Sequence, residues 1–295
     1  MNEAAAQKRA GFLAGLIAYG IWGVLPIYIK ALAGVHVIEL IAHRVLWSLL
    51  LMALLLLMMR KQTELRTAFA SPRMLGWLLL SSLLIGLNWS VYAVAILDNR
   101  VLDASLGYFI NPLISVALGV LVLREQLRRW QWLAVLCAAA GVAVQAWLGG
   151  TLPWLALFLA LSFALYALVR KQLLVDPVVG LMVETLLLAP FALGYLWLQD
   201  APVWSHGAET NALLILSGVV TGVPFVCFAY AARRLPLSSL GLMQYIAPSI
   251  VFMLAVFAYG EPVNWGRMLA FVLIWVGLAI FVIDGLRLSR AERKG

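Results

Sequence analysis

The chain has 295 residues, of which 64% are hydrophobic and 12% charged, with a formal net charge of +8. A soluble domain carries about twice that share of charge. Runs of about 20 apolar residues recur along the whole length, each able to cross a hydrocarbon core of about 30 Å, without the short alternating segments of a β-barrel; the sequence specifies an all-α polytopic membrane protein.

Ten transmembrane helices are predicted, at about 11–30, 37–59, 75–97, 102–123, 130–148, 152–170, 178–198, 211–232, 238–258 and 267–285. Lys8 and Arg9 precede an apolar run too long for a signal-peptide core, so an uncleaved first helix carrying Tyr19 and Trp22 is expected. Span two holds Glu39, His43, Arg44 and Trp47. An ionised side chain inside a span costs about 3 kcal/mol or more, so each needs a reason. Arg44 reads as a site for a substrate carboxylate or other anionic group, because guanidinium pairs bidentately; the alternative is a structural ion pair. His43 is a candidate proton relay, or an interhelical hydrogen-bonder. Glu39, nearer the interface, is expected to be hydrated.

Span three sets Asn88 and Tyr92 on one face beside Trp89. Trp22, Trp47 and Trp89 lie too deep for interfacial anchors, unlike Trp130, Trp132 and Trp154; they suit stacking on a planar substrate or packing against lipid. In span four, Ala104, Tyr108, Asn111, Ser115 and Gly119 share a face that either packs a helix or lines a cavity. Pro112 frees a carbonyl one turn back and marks a place to bend, as does Pro248 in span nine. Cys137 and Cys227 sit in separate apolar runs as small hydrophobes, and no disulfide or metal site is expected. Glu184 stands as far into span seven as Arg44 does into span two. The two are expected to face each other, Glu184 serving as a proton-coupling carboxylate or as a static partner. Span nine offers Gly241, Gln244 and Tyr245 at places matching span four. Asp103 and Asp284, at span ends, are expected to cap helices or to be solvated.

The matching is systematic. Pro112 and Pro248, Glu125 and Glu261, and Gly141 and Gly277 are each 136 residues apart. This divides the chain into repeats at 1–150 and 151–295, with no soluble domain. Lys and Arg set the orientation: with the N-terminus in the cytoplasm, 17 lie inside, Lys30, Arg100 and Arg267 lie outside, and Arg44 is within a span. Both termini are then cytoplasmic, and the basic balance reflects topology rather than nucleic-acid binding. Five spans per half force the halves into opposite senses. Arg124, Arg128 and Arg129 correspond to Gly260, Asn264 and Trp265, which shows the charge moving faces while the apolar pattern stays. That is the signature of two inverted five-helix repeats, whose substrate site lies near the midplane. Glu125 and Glu261 each precede a helix and are expected to sit in its N-terminal dipole.

Tyr19 to Gly23, Glu39 to Arg44 with Trp47-Ser48, Asn88-Trp89, Ser105 to Leu113 and Gly241 to Pro248 resemble the EamA type of the drug/metabolite transporter superfamily, and within it the RarD branch. The resemblance spans essentially the whole chain. It implies a central cavity, alternating access, and movement of small organic metabolites or drugs across the bacterial inner membrane, often outward. RarD-type proteins are associated by name with chloramphenicol sensitivity. The expected function is a secondary transporter, possible proton-coupled export included, with substrate-binding candidates Trp22, Arg44, Trp47, Asn88, Tyr92, Tyr108, Asn111, Glu184, Gln244 and Tyr245, and proton-coupling candidates His43 and Glu184. The expected partners are a small-molecule substrate and membrane lipids, with no cofactor, no nucleic acid and a monomeric chain. A flippase of lipids or lipid-linked headgroups is the alternative. No His-Glu-x-x-His, Gly-x-Gly-Asp or Gly-x-Ser-x-Gly supports an enzyme.

Overall fold

The computed structural model describes residues 3–97, 101–149, 154–199, 206–258 and 265–291, and among these there is no strand. In chain order the helices are α1 (Glu3–Ala31), α2 (Val37–Met58), α3 (Gln62–Ala70), α4 (Pro72–Leu97), α5 (Val101–Leu121), α6 (Arg129–Gly149), α7 (Trp154–Gln172), α8 (Pro177–Trp197), α9 (Ala208–Arg234), α10 (Leu237–Met243), α11 (Ile246–Met253) and α12 (Trp265–Ala291), with a π turn at Leu254–Ala258. Eight segments among the described residues are long and apolar enough to cross a membrane, while Gly107–Leu121 and Arg129–Val144 are shorter apolar helices. These two fall in the fourth and fifth expected spans.

Helix is the only open-ended structure that satisfies its own backbone in hydrocarbon, which is why most irregular backbone lies at the helix ends. Asp176 shows how an end is made: its side chain accepts from Val178 N at 2.9 Å, with Pro177 in the first turn of α8. Beyond α2 and α5 the chain turns through left-handed residues, Arg60 (φ 55) and Arg124 (φ 54). The charged stretch after span two, expected as a loop, contains α3, in which Leu65 and Ala68 turn inward while Glu64 and Arg66 stay exposed.

Span nine is broken ahead of its proline. α10 stops at Met243 and α11 starts at Ile246, so Gln244 and Tyr245 form the junction. Pro248 has no N–H to give to the Gln244 carbonyl, and Ala247 N takes that carbonyl instead, at 3.3 Å. α5, in contrast, runs straight through Pro112.

Helix pairing is reciprocal. α1 packs on α9 as α7 packs on α4, and α2 on α9 as α8 on α4. α5 meets α7 as α11 meets α1, while α2 with α8, α5 with α10, and α6 with α12 are each their own images. The α6–α12 contact shows this atom by atom. A Cβ on Gly141 would lie 2.7 Å from the Ala270 carbonyl oxygen, and one on Gly277 would lie 2.7 Å from that of Ala134. Each glycine and its opposite carbonyl exchange under the 136-residue offset, and later residues of one helix meet earlier residues of the other, so the equivalent helices run antiparallel. Tyr245 OH donates to the carbonyl of Phe109, its own counterpart, at 3.1 Å.

Because both glycines admit backbone at a distance no Cβ tolerates, Gly141→Val and Gly277→Val are each expected to destabilise by about 1–3 kcal/mol through overpacking. Thermal unfolding in detergent should show nearly equal losses for the two; an effect at one alone would contradict the reciprocity.

Candidate functional site

α2 carries Arg44 two turns from its start, and α9 supplies the partner, Thr221 Oγ1, to which Arg44 Nε donates at 2.8 Å. The guanidinium lies 5.2 Å from the Trp89 ring centroid on α4, a cation–π contact. Its charge also acts on the hydroxyls of Tyr108, Tyr28 and Tyr92. Tyr92 and Tyr108 meet edge to face with centroids 6.0 Å apart, and Tyr28 OH donates to Leu213 O at 2.8 Å. Among the described residues no carboxylate pairs with Arg44. Five helices thus converge on a half-buried cation surrounded by phenols and an indole.

Two of the junction residues behave differently from each other. Gln244 is buried, and neither atom of its amide has a hydrogen-bond partner. Tyr245 is fully buried and spends its hydroxyl on Phe109. Asn111 is buried beside Ser115, whose hydroxyl donates to Asn111 Oδ1 at 3.3 Å. Tyr108 and Gln244 are repeat counterparts, yet Tyr108 is 54% exposed and Gln244 only 6%. The more exposed of the two is therefore the one on the Arg44 side, beside Tyr92. The side chain of Ala104 on the same helix, and that of Asp103, lie outside the described residues.

Several expected site residues have structural partners. Asn88 Nδ2 donates to Leu159 O and to Ser162 Oγ, both at 2.9 Å, which ties α4 to α7. Trp22 sits in an aromatic core with Tyr19, Phe163, Phe225 and Phe228, at centroid distances of 5.2–5.9 Å. Trp47 donates its indole N–H to His43 Nδ1 at 3.3 Å, and its backbone is pressed against Gly218 of α9. Glu39 is not merely hydrated: His206 Nε2 lies 2.9 Å from it. Asp284 pairs with Arg128 at 2.6 Å.

The expected Arg44–Glu184 pair does not form. Glu184 is buried against Arg170 Nη1 (3.3 Å), Tyr166 OH (3.3 Å) and Ser81 Oγ (2.5 Å). Inversion is the reason. α2 and α8 run antiparallel, with Ala42 and Val45 packed on Ala192 and Leu196, so equal distances from two helix starts are opposite depths. The level of Arg44 falls near Ala192 of α8, so at 1.5 Å per residue Glu184 sits about 12 Å back from it, toward the start of α8. Thr221, Tyr28 and Arg170 carried little sequence signal: a hydroxyl in an apolar run, a tyrosine near a span end, and an arginine at a loop boundary.

A bundle with eight described segments long and apolar enough to cross a membrane defines an integral membrane protein, and comparison with known proteins gives its class as a transporter. The profile of the EamA-like transporter family matches residues 9–147 and again 152–283. The chain is 45% identical to Protein RarD of Escherichia coli K12 over 294 residues, covering 98% of this chain and 99% of that one. It is 40% identical to the uncharacterized transporter YojE of Bacillus subtilis 168, with 98% of both chains covered. It is 31% identical to the chloramphenicol-sensitive protein RarD of Pseudomonas aeruginosa, over 96% of this chain and 97% of that one. A solved protein structure superposes with a TM-score of 0.74 at 21% identity, covering 95% of this chain and 99% of the other, and so shares the fold. The chain belongs to the EamA-like transporter family, in its RarD branch.

The burial of the Arg170–Glu184 pair makes a test of its role. Glu184→Gln and Arg170→Met should each cost about 3–5 kcal/mol by stranding a buried charge or its hydrogen bonds, and Glu184→Leu with Arg170→Met should recover much of that loss. Unchanged thermal stability in the single variants, measured in detergent, would remove the structural assignment.

Proposed function

We propose that the chain is a secondary transporter that carries a small organic anion, metabolite or drug, by alternating access between two inverted five-helix halves. The observation that carries this reading is Arg44: a guanidinium inside the membrane span, half open, with a hydroxyl and aromatic rings about it and no carboxylate among the described residues. A cation so placed is expensive unless an anion visits it, and it suits a carboxylate. Trp89, Tyr92 and Tyr108 offer flat surfaces for an aromatic or planar body. The unequal exposure of Tyr108 and Gln244 supports a path open at one end and sealed at the other. The reciprocal packing of the halves supports an equivalent state with the ends exchanged. In this reading the basic loops face the cytoplasm of a bacterial cell and both termini lie there. His43, adjacent to Arg44 and in the electrostatic reach of Glu39 and His206, is the proton carrier of coupled export.

Benzoate, benzamide and benzylamine form a series of nearly equal shape and different charge. Benzoate should raise the unfolding temperature of the purified protein more than the other two. Arg44→Gln should weaken that binding about 10- to 100-fold, the value of a charge-assisted hydrogen bond, with Arg44→Lys intermediate. Equal shifts from all three probes would sink the anion reading, as would a benzoate shift that survives Arg44→Gln. Chloramphenicol is a fourth probe, chosen because it appears in a relative's name. Flux in proteoliposomes that ignores an imposed pH gradient would remove the coupling.

A further inference from the structure

Among the described residues, Glu125 is the one acidic side chain at the basic end whose oxygens are held by backbone of the other half. The chain reaches it by doubling back. Val122 N and Leu123 N both bond to Leu118 O, Arg124 takes the left-handed conformation, and Glu125 N closes on Gly119 O at 3.0 Å. Gly119 leaves the room: a Cβ there would stand 2.8 Å from Glu125 Oε2. The carboxylate then crosses to the C-terminal half. Oε1 accepts from Leu237 N at 2.6 Å, and Oε2 accepts from Ser238 N at 2.9 Å and from Ser238 Oγ at 2.7 Å. Lys171 Nζ stands 3.8 Å from Oε1 and donates to Leu235 O at 2.5 Å. The expected role in the dipole of the following helix, α6, is thus replaced by bonding to α10.

We propose that Glu125 is the latch of the transport path at its basic end, holding α10 shut against α5. This rests on the alternating-access reading above. α10 is the plug: Leu237, Ser238, Leu240, Gly241, Leu242 and Met243 are all buried, and the helix ends on the sealed Gln244. A Cβ on Gly241 would lie 2.8 Å from Pro112 O and 3.0 Å from Ser115 Cβ, so α10 lies directly on α5. The closed state buries both polar atoms of the Gln244 amide without a well-formed hydrogen bond, a cost that opening relieves. The latch opposes that relief, and two opposed terms give a bistable element.

Tyr19 OH, which donates to Leu240 O at 3.2 Å, also holds α10, but from within the bundle and without charge; the remaining charged links between the halves hold other elements. Lys61–Asp176 at the basic end and His36–Tyr195 at the other fasten the α2–α8 edge at both ends, as a fixed side requires, while Glu39–His206 ties α2 to the segment entering α9. Arg128–Asp284 joins α12, but Arg128 is 40% exposed, and exposed pairs are weak. Glu125 is 14% exposed, with three directional hydrogen bonds on the edge that must part.

The test needs no substrate. In full-length protein in which Cys137→Ala and Cys227→Ala remove the native thiols, Ser115→Cys reports from behind the latch and Tyr108→Cys from the accessible side. Labelling by a membrane-impermeant maleimide is followed separately from each face of oriented vesicles. Glu125→Gln is expected to raise the rate at Ser115→Cys from the basic face about tenfold, as charged hydrogen bonds become neutral, and to slow labelling of Tyr108→Cys from the opposite face. Ser238→Ala, which removes one hydrogen bond and no charge, should give a smaller change in the same directions and serves if Glu125→Gln does not fold. Unchanged labelling at Ser115→Cys in both variants overturns the latch. A rise at Ser115→Cys with no fall at Tyr108→Cys supports the latch and overturns the alternating-access reading.

Discussion

α6 and α12, two helices of equivalent sequence, cross antiparallel at backbone contact because each lacks a side chain at the crossing. Gly141 against Ala270, and Gly277 against Ala134, meet that condition at one spacing. The pairing of the helices follows the same exchange, down to Tyr245 reaching the carbonyl of its own counterpart, Phe109. Close approach matters more in a bilayer than in water, because lipid gives no hydrophobic drive to bring helices together; van der Waals packing and interhelical hydrogen bonds must do it. Gly218 against the Trp47 backbone and Gly241 against Pro112 are further cases.

Charges are distributed by the same constraint. Arg170 and Glu184 are buried together, so neither is left alone in hydrocarbon. Glu125 is satisfied by backbone N–H groups rather than by a single counter-charge. Arg44 is the exception, bonded to one hydroxyl and ringed by aromatics. A cation whose surroundings are incomplete differs in kind from the others, and it occurs where the five helices α1, α2, α4, α5 and α9 meet.

The membrane class, the helical segments and the repeat were legible in the residues because hydrophobicity and an unbroken offset record them directly. Arg44, Tyr92 and Tyr108 were legible too, as polar residues where polarity is costly, and the structure brings them together. What was hidden was depth. Arg44 and Glu184 share a position within their helices, but inversion turns equal position into opposite level, and the partner of Glu184 looked like a loop residue. Glu125 was hidden for another reason: a carboxylate before a helix has the same local sequence whether it serves that helix or one in the other half. The break in span nine precedes Pro248, since the missing N–H frees the carbonyl at Gln244 rather than at the proline itself. Glu261 and Pro262, which would extend the comparison, lie outside the described residues.

Tyr108 and Gln244 occupy the same place in the two repeats but are chemically unlike, an amphipathic ring in one and an amide in the other. On the alternating-access reading, a substrate entering from one face meets a different surface from one entering from the other. Half-saturation concentrations for the two directions then differ, while the ratio of forward to reverse kcat/KM stays fixed by the equilibrium across the membrane. A near-symmetric scaffold therefore yields an asymmetric carrier: the direction of net flow belongs to the gradients, and the difference in sensitivity between the two faces belongs to one pair of residues.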